Sequence, residues 1–324
     1  MNNKNSRIAV WGTVAAIAAI LILFAVFVDW RTVANQLRRS DWRYLIAASI
    51  ALLIGLALYA ARWRALLTTK LRWRSTFHAA NVGHAVNTLI PLRAGEPARI
   101  VMLGRSESAS IAEVTSSVVV ERLFEQIMRL TALVSAVTVG VGLTVSPGTI
   151  VGALAFVSLA LGGMIWLIRN RENVLARWPV ALARIPRVTE SGARQLLASV
   201  LAGFAGVASP RQLIVGLTWS LLTWACFAIF HALALLALQL NLPTPQLVSM
   251  SLGALALAPP SAPTQPGVYH ASVVVPLTAI GFDNATLTAY AVILHTLQMA
   301  WMVGLGLWAV WHSGASAKEL FQKA

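Results

Sequence analysis

The chain has 324 residues, 58% hydrophobic and only 11% charged, with a formal net charge of +14. A soluble domain carries about 25% charged residues, so a soluble globular protein is excluded, and the lack of strict apolar/polar alternation excludes a membrane β-barrel. The basic residues sit in short loops beside apolar runs, which reads as membrane topology and contact with anionic lipid rather than a nucleic-acid footprint.

The elements follow in chain order. Lys4 and Arg7 precede an apolar run over 8–28. That run is longer than a signal-peptide core and "FAVFVDW" offers no small-x-small cleavage site, so it reads as an uncleaved first span. A second span is expected at 44–61. The next apolar piece, 78–90, covers only about 20 Å as a helix. It runs into "NTLIPLRAGEPARI", which crowds Pro91, Arg93, Gly95, Glu96, Pro97 and Arg99 into a few positions. Spans are expected again at 115–145 and 149–168. The one long loop, 169–211, holds an amphipathic stretch at 189–208, with Leu196, Leu197, Val200, Leu201, Phe204 and Val207 at helical spacing. It is expected on the membrane surface or beneath the bundle. A span at 213–239 precedes two short apolar pieces, 246–258 and 268–281, around "APPSAPTQPG" with Pro259, Pro260, Pro263, Pro266 and Gly267. The last span is expected at 286–311. Trp63, Trp73, Trp301, Trp308 and Trp311 read as interfacial belts.

Proline removes a backbone donor and clashes with the preceding turn. Unsatisfied backbone cannot face lipid tails, so such breaks persist only inside protein or beside a wet cavity. The expected fold is therefore an all-α integral membrane protein. It has about six spanning helices and two re-entrant breaks, the first built on Pro91 and Gly95, the second on Pro260, Pro263, Pro266 and Gly267. The whole of 1–324 forms a single polytopic membrane domain without a soluble domain. With both termini cytoplasmic, the inner segments (1–7, 62–77, 93–113, 169–211 and the tail) hold 19 of the 25 Lys and Arg. Four lie in the external segment 29–43, and Arg122 and Arg129 lie in the third span. This satisfies the positive-inside rule. The two breaks then enter from opposite faces, the hydropathy signature of an inverted repeat, although no residue-level self-similarity accompanies it.

The chemistry concentrates in "TSSVVVERLFEQIMRL". At about 100° per residue, Glu121, Arg122, Glu125 and Arg129 fall within an arc of roughly 100°. Charges near hydrocarbon face the bundle interior and pair. Glu125 has Arg129 at i+4, and the Glu121–Glu125 repulsion calls for another cation, from Arg93 or Arg99. Two readings stand: a structural ion-pair network, or one that also binds a phosphate headgroup, because a guanidinium's planar fork suits phosphate. At the second break Gln265, Tyr269 and His270, with Ser261 and Thr264, either line a path for a sugar or amine headgroup or satisfy freed carbonyls. His295 reads as a hydrogen-bonded interior histidine ahead of a proton relay. The lone cysteine, Cys226, forms no intramolecular disulfide, and no metal-ligand spacing exists, so no metal and no cofactor are implied.

"IPLRAGEPARIVML", followed by "SSVVVERL" and later by "PPSAPTQPGVYHASVVVPLTAIGF", resembles the lysylphosphatidylglycerol synthase transmembrane family of flippase-like proteins, over essentially the whole chain. The resemblance implies a multi-pass protein of the bacterial cytoplasmic (inner) membrane that moves lipid between leaflets. In bifunctional relatives an aminoacyl-transferase domain follows the spans; with the sequence ending at Ala324, that synthase activity is not expected here. The expected partner is an anionic or phosphate-bearing lipid, and not nucleic acid, with a pathway enzyme or a second copy as further candidates. No G-x-x-x-x-G-K-[ST] loop is present. The competing readings are a membrane enzyme acting on a polyprenyl-phosphate or phospholipid, whose Mg²⁺ site would need clustered aspartates, and an accessory subunit of a lipid or glycolipid pathway.

Overall fold

The computed structural model describes residues 30–67, 69–89, 94–106, 109–140, 169–184, 189–205, 210–239, 242–258, 268–279 and 283–313, with scattered positions between 155 and 167. The expected first span at 8–28, most of 149–168, Pro91, Arg93, and the segment 259–267 with Gln265, Pro260, Pro263, Pro266 and Gly267 lie outside the described residues.

All regular structure among the described residues is helical. It begins with α1 (Trp30–Arg39), which occupies a segment expected as loop, and α2 (Trp42–Leu66). Asp41 starts α2 because its carboxylate accepts from the Arg43 N–H at 2.9 Å, satisfying one of the donors a helix start leaves orphaned. The first short pair is α3 (Trp73–Leu89) and α4 (Gly95–Ser106), followed by the long α5 (Ile111–Gly140). The loop expected at 169–211 contains α6 (Arg171–Leu182) and α7 (Glu190–Ala205). Then come the long α8 (Pro210–Ala237), the short pair α9 (Thr244–Leu257) and α10 (Val268–Ala279), and the long α11 (Asn284–Ser313). A long helix, two short ones and a long one thus occur twice.

Among the described residues three helices are long and apolar enough to cross a membrane: Trp42–Leu66, Arg211–Ala237 and Thr286–His312. At 30 residues α5 has a length of about 45 Å, but its charged residues set it apart. The exposed apolar stripe Ile46, Ile50 and Ile54 on α2 recurs every fourth residue. Such a stripe suits contact with lipid tails rather than water.

Helix α2 lies antiparallel along α8. The Asp41 N–H donates to the Ala237 carbonyl at 2.9 Å, joining the start of one to the end of the other. Leu52, Leu56, Phe227 and Phe230 fill the seam. Helix α3 packs along α11 and α5 along α9. The α3–α11 pair is antiparallel: His78 stacks on Trp308, Ala85 lies against Gly306, and Thr88 meets Met302. Helix α7 packs beneath the bundle rather than lying free, with Leu201 buried beside Val120, Phe124 and Leu66.

Two sequence expectations are corrected here. Trp63 is no interfacial residue: it is wholly buried and donates to the Ser117 hydroxyl at 2.9 Å. Arg62, counted with the cytoplasmic segment 62–77, is also wholly buried, because α2 continues past it to Leu66. The span was expected to stop at the first arginine, yet a buried counter-charge lets the helix carry it inward.

Candidate functional site

The first short pair sets the frame. Helices α3 and α4 fold against each other so closely that a Cβ on Gly95 would sit 1.9 Å from the Gly83 carbonyl oxygen. Only glycine allows that approach. The Asn87 side chain accepts from the Gly95 N–H at 2.8 Å and so caps the start of α4. This contact fixes the rotation of α4, which carries Glu96 and Arg99.

Arg99 and Glu121 form the centre, both buried. Arg99 donates through Nη2 to Glu121 Oε1 at 2.9 Å and through Nη1 to Oε2 at 3.1 Å, the bidentate geometry a guanidinium favours with a carboxylate. Tyr59 completes the centre: its hydroxyl donates to Glu121 and accepts from Arg99 Nη1 at 2.9 Å. The Arg99 guanidinium also lies over the Trp63 ring, 4.6 Å from its centroid, a cation–π contact. Arg62 approaches Glu121 at 3.9 Å and covers the Tyr59 ring at 4.7 Å. The nitrogens of Arg62 have no hydrogen-bond partner among the described residues. One carboxylate therefore faces two buried guanidiniums.

A more open pair flanks this centre. Arg122 reaches Glu96 on α4 through Nη2 at 2.5 Å and Glu125 on its own helix through Nη1. The pairing formed by Glu125 is thus with Arg122, one turn back. The Arg122 side chain keeps 24% of its surface exposed, against 2% for Arg99. It borders a crevice together with Tyr59, His84, Asn87 and Arg99, too narrow for a water molecule as it stands.

Of the expected site residues, Glu96, Arg99, Glu121, Arg122 and Glu125 are brought together. Tyr269 and His270 lie in a second cluster at the start of α10. The Tyr269 ring stacks on His295 of α11 at 4.7 Å, and His270 meets the same ring edge-on at 5.0 Å. One turn on from His295 is Gln298, wholly buried, whose amide oxygen and nitrogen have no hydrogen-bond partner among the described residues. Sequence reading missed Arg62, Tyr59, His84, Asn87 and Gln298. For Arg62 a signal existed, an arginine abutting the apolar run in "LYAARWRAL". For Gln298 it was a lone amide in "HTLQMAW".

Among the described residues no three His, Cys, Asp or Glu are grouped as metal ligands. Asp41 and Asp283 act as helix starts instead, Asp283 accepting from the Thr286 N–H at 2.8 Å.

No solved structure matches the chain. A curated relative, the UPF0104 membrane protein of Methanothermobacter thermautotrophicus, is 33% identical over 129 residues, which cover 38% of this chain and 36% of that protein. The profile of the lysylphosphatidylglycerol synthase TM region matches residues 10–306, from before the first described helix to the last turns of α11, and the chain is accordingly a multi-pass membrane protein belonging to that flippase-like family.

Proposed function

We propose that the protein is a lipid translocase in which the α4–α5 cluster receives the phosphate of a lipid headgroup from the cytoplasmic leaflet. The observation that carries this reading is the contrast between the two arginines. Arg99 is sealed by Glu121, Tyr59 and Trp63, while Arg122 is held by two carboxylates at the edge of the crevice and remains partly exposed. Arg122 supplies the phosphate contact. Glu96 and Glu125 aim Arg122, and Arg99 with Glu121 locks α4 to α5. A guanidinium that meets phosphate in a fork gives strong, oriented hydrogen bonds. The lipid tails stay in the bilayer throughout.

The crevice admits no headgroup as it stands, so transport requires the two halves of the chain to move relative to each other. The repeated order of long, short, short and long helices supports an inverted repeat. So does the exchange of partners: α2 with α8, α3 with α11, and α5 with α9. Rocking of such halves is the general route to alternating access.

The experiment is leaflet exchange of labelled phospholipid in liposomes. Wild type should exceed empty vesicles. Arg122→Ala should lower exchange about tenfold to a hundredfold, the loss of one charge-assisted hydrogen bond of about 1.5–3 kcal/mol, with the protein still folded. Exchange equal to empty vesicles for wild type across anionic and zwitterionic headgroups overturns the reading. Equal loss of stability and exchange in Arg122→Ala would favour an accessory scaffold instead.

A further inference from the structure

Helices α5 and α11 carry polar side chains at corresponding positions. Helix α5 begins at Ile111 and α11 at Asn284; aligned from those first residues, Arg122 falls on His295 and Glu125 on Gln298. The contacts agree with this register. Arg122 pairs with Glu96 across α5 and α4, and His295 stacks on Tyr269 across α11 and α10 at 4.7 Å.

We infer that His295, Gln298 and Tyr269 form a second headgroup station, the counterpart of Arg122, Glu125 and Glu96, which takes the neutral, hydroxyl-bearing part of a lipid headgroup. The inference rests on the translocase reading and names the second half of its path.

Gln298 carries the argument. It is wholly buried, and both polar atoms of its amide have no partner among the described residues. Burial of an unpaired amide is costly and rare in native proteins. On α11 it stands one turn from Met302, whose sulfur lies 3.9 Å from the Thr88 hydroxyl, and one turn from His295 in its stack with Tyr269.

The chemistry of the station differs from that of the first. Its three side chains, Tyr269, His295 and Gln298, include no carboxylate and no guanidinium. A primary amide offers one donor group and one acceptor, the complement of a hydroxyl, which is also both. The stacked rings add a flat, mostly apolar face. A few polar groups set in apolar walls fix the orientation of a ligand. An arginine-bearing first station and a neutral second one sort a headgroup by its two parts: phosphate first, hydroxyls second.

The test uses the full chain in detergent with two probes, phosphatidylinositol and phosphatidylethanol of identical acyl chains. Both carry one phosphodiester charge, and only the first carries ring hydroxyls. Native mass spectrometry reads bound lipid. Wild type should retain phosphatidylinositol about tenfold better, the worth of one or two neutral hydrogen bonds. Gln298→Leu should bring the ratio close to one without lowering the melting temperature, because leucine fills similar volume and removes an unpaired amide. Arg122→Ala should weaken both lipids alike and keep the ratio. A ratio near one in wild type, or an undiminished ratio in Gln298→Leu, overturns the inference. So does a Gln298→Leu protein that melts several degrees lower and loses both lipids, which assigns the amide to the scaffold. Absent leaflet exchange with the ratio intact removes translocation but leaves the station standing.

Discussion

Glu121 is the residue on which most of the buried charge depends. Among the described carboxylates it alone pairs with both Arg99 and Arg62, and it has no exposed surface. Removing one partner of a buried pair leaves the other charge uncompensated, at about 3–5 kcal/mol. Glu121→Gln should therefore melt well below wild type in detergent, and lower than Arg122→Ala, whose guanidinium keeps partial contact with water. If Glu121→Gln melts like wild type, the carboxylate is not the keystone of the cluster. That Glu121, Arg122 and Glu125 meet partners inside the bundle was legible because three charges on one arc of an apolar helix have few places to go. For Arg62 only its place beside the apolar run was legible, not its partner. An arginine at the end of an apolar run looks the same in sequence whether it turns to the headgroups or inward to a partner 59 residues on; only the position of Glu121 across the bundle decides. The same holds for Trp63, which has the composition of a belt residue and the hydrogen bond of a core one.

Two glycines of α11 separate packing from mere flexibility at the scale of elements. A Cβ on Gly306 would stand 2.2 Å from the Ala85 Cβ and 3.0 Å from the Asn81 carbonyl oxygen, whereas one on Gly304 would meet nothing within 4 Å. Close approach of helices over small residues is a common membrane contact. Gly306→Leu should force α3 and α11 apart and destabilise the protein by about 1–3 kcal/mol or more. Gly304→Leu, two residues earlier, should be near neutral in the same melting experiment. Equal effects from both would mean that helix propensity and not the α3–α11 contact is being measured. Three of the four short helices were legible from the short apolar runs, α3 at 78–90, α9 at 246–258 and α10 at 268–281, whereas α4 falls in 93–113, which was read as a cytoplasmic segment. The amphipathic stretch was legible as a helix, α7, but its docking onto α5 was not. An apolar face serves equally against lipid or against protein, and the choice belongs to the neighbour.

At the scale of the whole molecule, lysines and arginines concentrate in the segments assigned to one face, with 19 of 25 there. We expect both termini in the cytoplasm. A C-terminal alkaline phosphatase fusion should be inactive and a C-terminal green fluorescent protein fusion bright; the opposite pattern would invert the topology and the leaflet from which the headgroup is taken. The proposed repeat also belongs to this scale. Hydropathy suggested it, without residue correspondence, because the two halves use different chemistries at equivalent points: Arg122 against His295, Glu125 against Gln298. The proposed equivalence rests on the register of α5 against α11 and on their contacts with α4 and α10.

The amino-acid sequence by itself determined that this chain is helical, lies in a membrane, interrupts two of its helices and buries charge on a third. Those properties follow from local rules: the cost of polar groups in hydrocarbon, the backbone chemistry of proline and the period of the helix. The tertiary structure alone decided which arginine is sealed and which is open, and that the Gln298 amide is buried without a partner among the described residues. Partner choice for a buried polar group depends on residues far away in the chain, and no local rule specifies which helix will supply them.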